Sequence, residues 1–186
     1  MLFRSAFKLR EIDDRDRLLR RGGRVVDLGA APGGWSQVAA ERCGAEARIV
    51  AIDLLPVAPI SGVVILQADF LADESASRLQ AALGGKADLV LSDLAPNISG
   101  IALVDQARML ELLEQAAFFA RSVLAPGGAF LAKVFHGSSF DDIRRTLREG
   151  FGSVAVRKPQ ASRGESTETY LLARDPKPLG PGEERS

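Results

Sequence analysis

Asp27-Leu28-Gly29-Ala30-Ala31-Pro32-Gly33-Gly34-Trp35 closes the apolar run Arg24–Leu28 and opens a helical pattern over Trp35–Cys43. Glycines at a strand-to-helix turn let the backbone bend sharply and pass close beneath a ligand. The same alternation continues outward from this turn. Arg48–Asp53, Val63–Leu66, Ala87–Ser92 and Ala129–Phe135 are short apolar runs, the signature of strands covered on both faces. Helices are predicted between them over 74–83, 104–124 and 140–149, the second ending at the stop signal Pro126-Gly127-Gly128. Strand–helix repetition specifies a parallel sheet with right-handed crossovers. Two further strands, Ser153–Arg157 and Thr169–Ala173, are joined by a polar loop and are predicted to pair antiparallel at one edge. An amphipathic helix over about 3–19 precedes the first strand. The expectation is an α/β fold, a mostly parallel seven-stranded sheet with helices on both faces. It forms one domain over 1–175, followed by a disordered tail over 176–186 that is rich in Pro, Gly and Glu.

Composition narrows the function. The chain has 186 residues, 46% hydrophobic and 26% charged, enough for one core without metal or disulfide staples. Its one cysteine, Cys43, can close no intramolecular disulfide and supplies no Cys-based zinc site, which fits a reducing compartment. The lone histidine, His136, excludes any mechanism that needs two imidazoles. No apolar run reaches the roughly 18 residues of a membrane span, and the N-terminus carries no apolar signal region. A cytoplasmic monomer without membrane or metal partner is expected. Formal net charge is zero, but residues 1–24 carry eight Lys/Arg against four acids, while residues 25–132 carry six against twelve. If the fold brings both termini to one face, Arg4, Lys8 and Arg10 would join Arg157, Lys158 and Arg163 in a surface that attracts phosphates. The competing reading of these charges is ordinary solvated helix faces.

The glycine loop is not G-x-G-x-x-G, and no Lys-Ser or Lys-Thr follows it, so neither a dinucleotide fingerprint nor a P-loop fits. A loop without a phosphate clamp suits a cofactor that has adenosine but no phosphate, such as S-adenosylmethionine. Acids at later strand ends agree: Asp53 can accept both ribose hydroxyls, and Asp69 can receive an adenine amino group. Asp27 and Asp93 also fall at strand ends, where open α/β sheets bind ligands. Any one of the four reads as readily as a cap or turn residue. All four together with the loop do not.

Six blocks in order, Arg4–Leu9, Asp27–Gln37, Asp53–Pro56, Ser92–Asn97, Leu124–Gly128 and Lys133–Phe135, closely resemble the FtsJ/RrmJ ribose 2′-O-methyltransferases, over Arg4 to about Ala173. The resemblance implies a Rossmann-like S-adenosylmethionine-dependent methyltransferase fold acting on RNA, with a uridine of rRNA within the large ribosomal subunit as the expected target. It places the family's catalytic Lys-Asp-Lys-Glu set on Lys8, Asp93, Lys133 and Glu168. Cofactor contacts fall on Gly33, Trp35, Asp53, Asp69 and Asp93. Glu168 takes the acidic position rather than Glu165, because the family pattern sets it two residues before a tyrosine, here Tyr170.

Methyl transfer from a sulfonium needs a positioned, partly deprotonated hydroxyl, and a general base within about 2.6–3.2 Å supplies it. Lys133 stands in an apolar strand, where a lysine needs a partner or a task. A lysine accepts a proton only as the neutral amine, so this role requires neighbours that favour that form. The expected division is Lys133 as base, Asp93 and Glu168 as orienting carboxylates and Lys8 as a clamp on the ribose-phosphate. Trp35 reads either as helix-face core or as a wall of the cofactor pocket, and the second is expected. Cys43 reads as a small packing residue, and His136 as a loop residue. Methylation of tRNA or an mRNA cap, a small-molecule methyltransferase and a non-catalytic RNA-binding assembly factor are the competing functions.

Overall fold

The computed structural model describes residues 4–160 and 168–181. In chain order the elements are α1 (Arg4–Asp16), β1 (Arg24–Leu28), α2 (Gly34–Cys43), β2 (Arg48–Asp53), β3 (Val63–Gln67), α3 (Ser75–Leu83), β4 (Ala87–Ser92), α4 (Ala102–Val123), β5 (Leu124–Phe135), α5 (Phe140–Gly150), β6 (Phe151–Arg157) and β7 (Glu168–Pro176). The seven strands form one sheet in the order β3-β2-β1-β4-β5-β7-β6. Strands β1 to β5 run parallel, and β7 is antiparallel to both β5 and β6.

Period-two alternation within the strands sends successive side chains into two cores. Val25, Leu89, Leu91 and Leu131 face α1 and α2, where they meet Leu9, Ile12, Val38 and Cys43. Val26, Val90, Phe130 and Ala132 face the opposite side, against Leu79 of α3, Met109 and Leu113 of α4 and Ile143 and Leu147 of α5. Each helix thus contributes one apolar stripe, as Phe140, Ile143 and Leu147 show in α5. Cys43 is a packing residue of the first layer, and burial pushes its thiol up to about 11.

Some boundaries differ from the sequence reading. The first helix stops at Asp16 rather than near 19, because Arg17 takes a left-handed φ of 53° and Asp13 Oδ1 accepts the Leu19 N–H at 2.7 Å. β5 starts at Leu124 rather than Ala129, since Leu124 already pairs with Ala87 and the register jumps across Pro126-Gly127-Gly128 before Ala129 meets Leu89. The antiparallel pair stands at one edge of the sheet as expected, with β6 outermost and β7 inside it, between β5 and β6. Lys177 and Pro178, assigned to a disordered tail, are tied to the body. The Lys177 N–H donates to Gly150 O at 2.9 Å, and Arg121 Nη2 donates to Pro178 O at 2.9 Å. Residues 182–186 of that tail lie outside the described residues.

The position of β7 has a functional consequence. An antiparallel strand begins where its parallel neighbours end, so Glu168 pairs with Phe135 and Tyr170 with Lys133 at the C-terminal edge of the sheet. A parallel β7 would place Glu168 at the opposite edge.

Candidate active site

Two ion pairs meet at that edge. Lys133, on β5, places Nζ 2.7 Å from Asp93 Oδ1 and donates to the Asp93 backbone carbonyl at 3.1 Å. Lys8, on α1, pairs with Glu168 on β7. The two pairs share one electrostatic field: burial pushes the Asp93 carboxyl up, Lys133 pulls it down, and Glu168 raises it while Lys8 lowers it. Tyr170 lies beneath them. Its hydroxyl is buried with no hydrogen-bond partner among the described residues, and burial with the Asp93 and Glu168 charges pushes it up. The four residues, from α1, the end of β4, β5 and β7, are therefore one cluster.

Asp93 stands just past β4, next to β1 in the sheet, where the strand order turns from β1-β2-β3 to β4-β5. Ligands of open α/β sheets lie at this switch point. A cleft of about 550 Å³ opens there, lined by Gly29, Asp53, Asp69, Phe70, Leu94 and Pro96 among others. Asp53 is held by the glycine turn and by its own loop: Oδ2 accepts the Ala31 N–H at 2.9 Å and Oδ1 the Leu55 N–H at 2.8 Å. Asp69 Oδ1 accepts the Leu71 N–H at 2.9 Å, which leaves its other oxygen for a ligand. Two carboxylates fixed on adjacent strand ends beside apolar walls fit a ligand with hydroxyls at one end and a flat amino-bearing ring at the other.

Glycine is required at two points of the loop. Gly29 has φ +70° and a Cβ there would lie 2.6 Å from Leu94 Cδ2; Gly33, the residue before α2, has φ +111° and a Cβ 2.9 Å from Ile60 Cδ1. The turn is thus squeezed between the β2–β3 and β4–α4 segments.

Trp35 departs from its expected place. It is buried in the layer beneath α1, donates from Nε1 to Ser5 O at 2.9 Å and sets its ring 5.9 Å from that of Tyr170. It fixes α1, and with it Lys8, to the sheet rather than walling the cleft. The phosphate surface is also altered. The fold does bring the chain ends together, but Arg157 forms two bonds to Asp16, at 2.6 and 2.7 Å, and Arg10 pairs with Glu41. Ion pairing consumes these two cations, while Lys158 stays exposed. Arg163 and the Arg4 side chain lie outside the description. His136 is an exposed loop residue that stacks on Phe140 with ring centroids 4.1 Å apart.

Asp27 was legible only as one strand-end acid among four. It is fully buried, accepts the Ser36 hydroxyl at Oδ2 at 2.6 Å, and its Oδ1 has no hydrogen-bond partner among the described residues. Burial pushes its carboxyl up to about 7, with Asp93 and Asp53 adding to the rise. An acid inside the apolar run Val25-Val26-Asp27-Leu28 is the signal that points to it.

The sheet order, the switch-point cleft and the glycine turn define a Rossmann-like α/β fold with a charged pair-of-pairs at its rim. Residues 2–176 match the model of the FtsJ-like methyltransferases, and the chain belongs to that family; it is a methyltransferase. It is 57% identical over 173 residues to the ribosomal RNA large subunit methyltransferase E of Azoarcus sp. strain BH72, covering 92% of this chain and 84% of that one. It is 55% identical to the protein of the same name from Thiobacillus denitrificans, covering 93% and 79%. Among solved structures, archaeal fibrillarin from Aeropyrum pernix, crystallised with S-adenosyl-L-methionine natively bound, superposes with a TM-score of 0.64 at 16% identity, over 91% of this chain and 73% of that one. That likeness is one of fold.

Proposed function

We propose that this chain transfers the methyl group of S-adenosylmethionine to a ribose 2′-hydroxyl of large-subunit ribosomal RNA, as a cytoplasmic monomer. The observation that carries the reading is the Lys133–Asp93 pair standing beside the Lys8–Glu168 pair at the mouth of the switch-point cleft. The substrate class rests on the relatives' names.

The cofactor fits the cleft: Asp53 would take the ribose hydroxyls, Asp69 the adenine amino group, and the loop through Gly33 the remainder. When bound, S-adenosylmethionine supplies an already activated methyl group. The protein's own work is on the acceptor hydroxyl. A neutral lysine amine has two N–H donors and one lone pair. Lys133 Nζ donates to the Asp93 carbonyl and has the Asp93 carboxylate at ion-pair distance, and the lone pair of the neutral amine would take the 2′-hydroxyl proton. Asp93 also stabilises the ammonium that results. Glu168 holds Lys8 at the rim, where its ammonium clamps the ribose-phosphate. Displacing water from this half-buried cluster strengthens each of these interactions.

Removing Asp53 should weaken cofactor binding and spare the fold. Asp53→Ala is expected to cost about 1.5–3 kcal/mol, the range for bonds to a charged group, read by calorimetric titration with S-adenosylhomocysteine. Unchanged affinity would remove Asp53 from the site.

RNA affinity should fall roughly tenfold or more between about 50 and 200 mM salt, as two or three phosphate contacts require. A flat salt dependence would favour a small-molecule acceptor. The reading as a whole is tested by incubating the protein with labelled cofactor and large ribosomal subunits, naked rRNA or tRNA. Label on tRNA alone, or cofactor binding with no transfer to any RNA, would overturn it.

A further inference from the structure

We propose that a second, smaller cavity beside the catalytic pair receives the nucleobase of the nucleotide being methylated. This rests on the ribose-methylation reading above. The cavity, of about 240 Å³, is lined by Pro96, Ile98, Asp105, Gln106, Met109 and Phe135. Phe135 connects it to the chemistry. Its ring centroid lies 5.9 Å from Lys133 Nζ, and it pairs in register with Glu168. Pro96 lines both this notch and the cofactor cleft, so the two cavities share a wall.

Covalent geometry decides the occupant. In a nucleotide the base is carried on C1′, the carbon bonded to C2′, so a 2′-hydroxyl placed at Lys133 brings its base to the immediate surroundings of that amine. On one side the cofactor cleft is committed. The notch on the other side offers what a base needs: an aromatic ring to stack on, an aliphatic rim, and a polar group at its edge. Gln106 Oε1 already accepts the Ser139 N–H at 3.3 Å, which leaves the side-chain amide as a donor, matched to a base carbonyl.

The notch is preformed. Asp105, in the first turn of α4, accepts the Ser99 N–H and hydroxyl at 2.7 Å and the Gly100 N–H at 3.1 Å, pinning the loop that carries Ile98. Ile98 is nevertheless 75% exposed, and Ile101 and Leu103 beside it are 62% and 77% exposed. An apolar rim held open at a catalytic edge is costly unless a partner covers it.

The test uses the full chain, labelled S-adenosylmethionine and large ribosomal subunits lacking this methylation. Phe135→Leu keeps an apolar side chain of similar size, so a packing role would survive it, whereas a stacking role would not. It should raise KM for the subunit roughly tenfold or more, the scale of one lost base stack, with S-adenosylhomocysteine affinity unchanged. Phe135→Tyr should recover most of the lost kcat/KM. Ile98→Trp, at an exposed position where folding is not at stake, should narrow the notch and raise KM likewise. Wild-type kcat/KM in both Phe135→Leu and Ile98→Trp would overturn the notch while leaving the ribose reading intact. A wild-type protein that methylates no RNA would overturn that reading and the notch with it.

Discussion

Lys133→Ala should lose methyl transfer by roughly 10²–10⁴-fold, the range that positioned proton transfer contributes, while cofactor affinity stays close to wild type. Among the described residues its Nζ has Asp93 alone as hydrogen-bond and ion-pair partner, so removing it takes away proton acceptance and leaves the cleft's carboxylates in place. Lys133→Arg should not rescue. A guanidinium stays protonated above about pH 12 and has no lone pair to offer. Asp93→Ala should be severely impaired as well, since it strips Lys133 of its ion-pair partner. Lys8→Ala and Glu168→Ala should retain more activity, because their proposed work is to hold the substrate. The measurement is single-turnover methylation beside the S-adenosylhomocysteine dissociation constant for each variant. Near wild-type turnover by Lys133→Arg would replace general-base catalysis with electrostatic alignment of the hydroxyl.

The second large effect is on stability and depends on pH. Asp27 has an ordinary value of 3.8 and is pushed up to about 7 in the folded chain by burial. Between these values the folded protein holds a proton that the unfolded chain has released. Stability therefore falls as pH rises through that window and levels off above about 7. At roughly 1.4 kcal/mol per pH unit, the stretch from about pH 5 to pH 7 is worth about 3 kcal/mol. Asp27→Asn cannot ionise, and its amide oxygen can keep the Ser36 hydroxyl bond. Urea unfolding of both proteins should show the variant gaining about 3 kcal/mol on wild type between about pH 5 and pH 8. A difference that does not change with pH would mean that the carboxyl is ionised throughout that range. The same variant reports on the cofactor loop, because the Asp27–Ser36 bond ties β1 to the first turn of α2.

Local chemistry along the chain determined a great deal. Continuous apolar runs specify strands buried on both faces, and β1, β2 and β4 begin and end where those runs do. The glycine turn and the acids at 53 and 69 mark the cleft, because backbone conformation and strand-end position are properties of a few adjacent residues. Lys133 was conspicuous for the same reason, as a charge inside an apolar strand.

What only tertiary structure decided depends on distance in space between residues far apart in the chain. No local signal says that β7 enters between β5 and β6, yet that placement brings Glu168 to Lys8 across 160 positions. Nor does sequence show that Asp16 claims Arg157, or that Trp35 turns to Ser5 and Tyr170 instead of the cleft. A charge pattern counts cations without recording which are already paired, and an aromatic residue does not announce which side of a helix the core lies on. The burial that pushes Asp27 up to about 7 is likewise a sum over both layers of the fold. Desolvation is set by everything packed around a group, and that is fixed only when the sheet and its helices close over it.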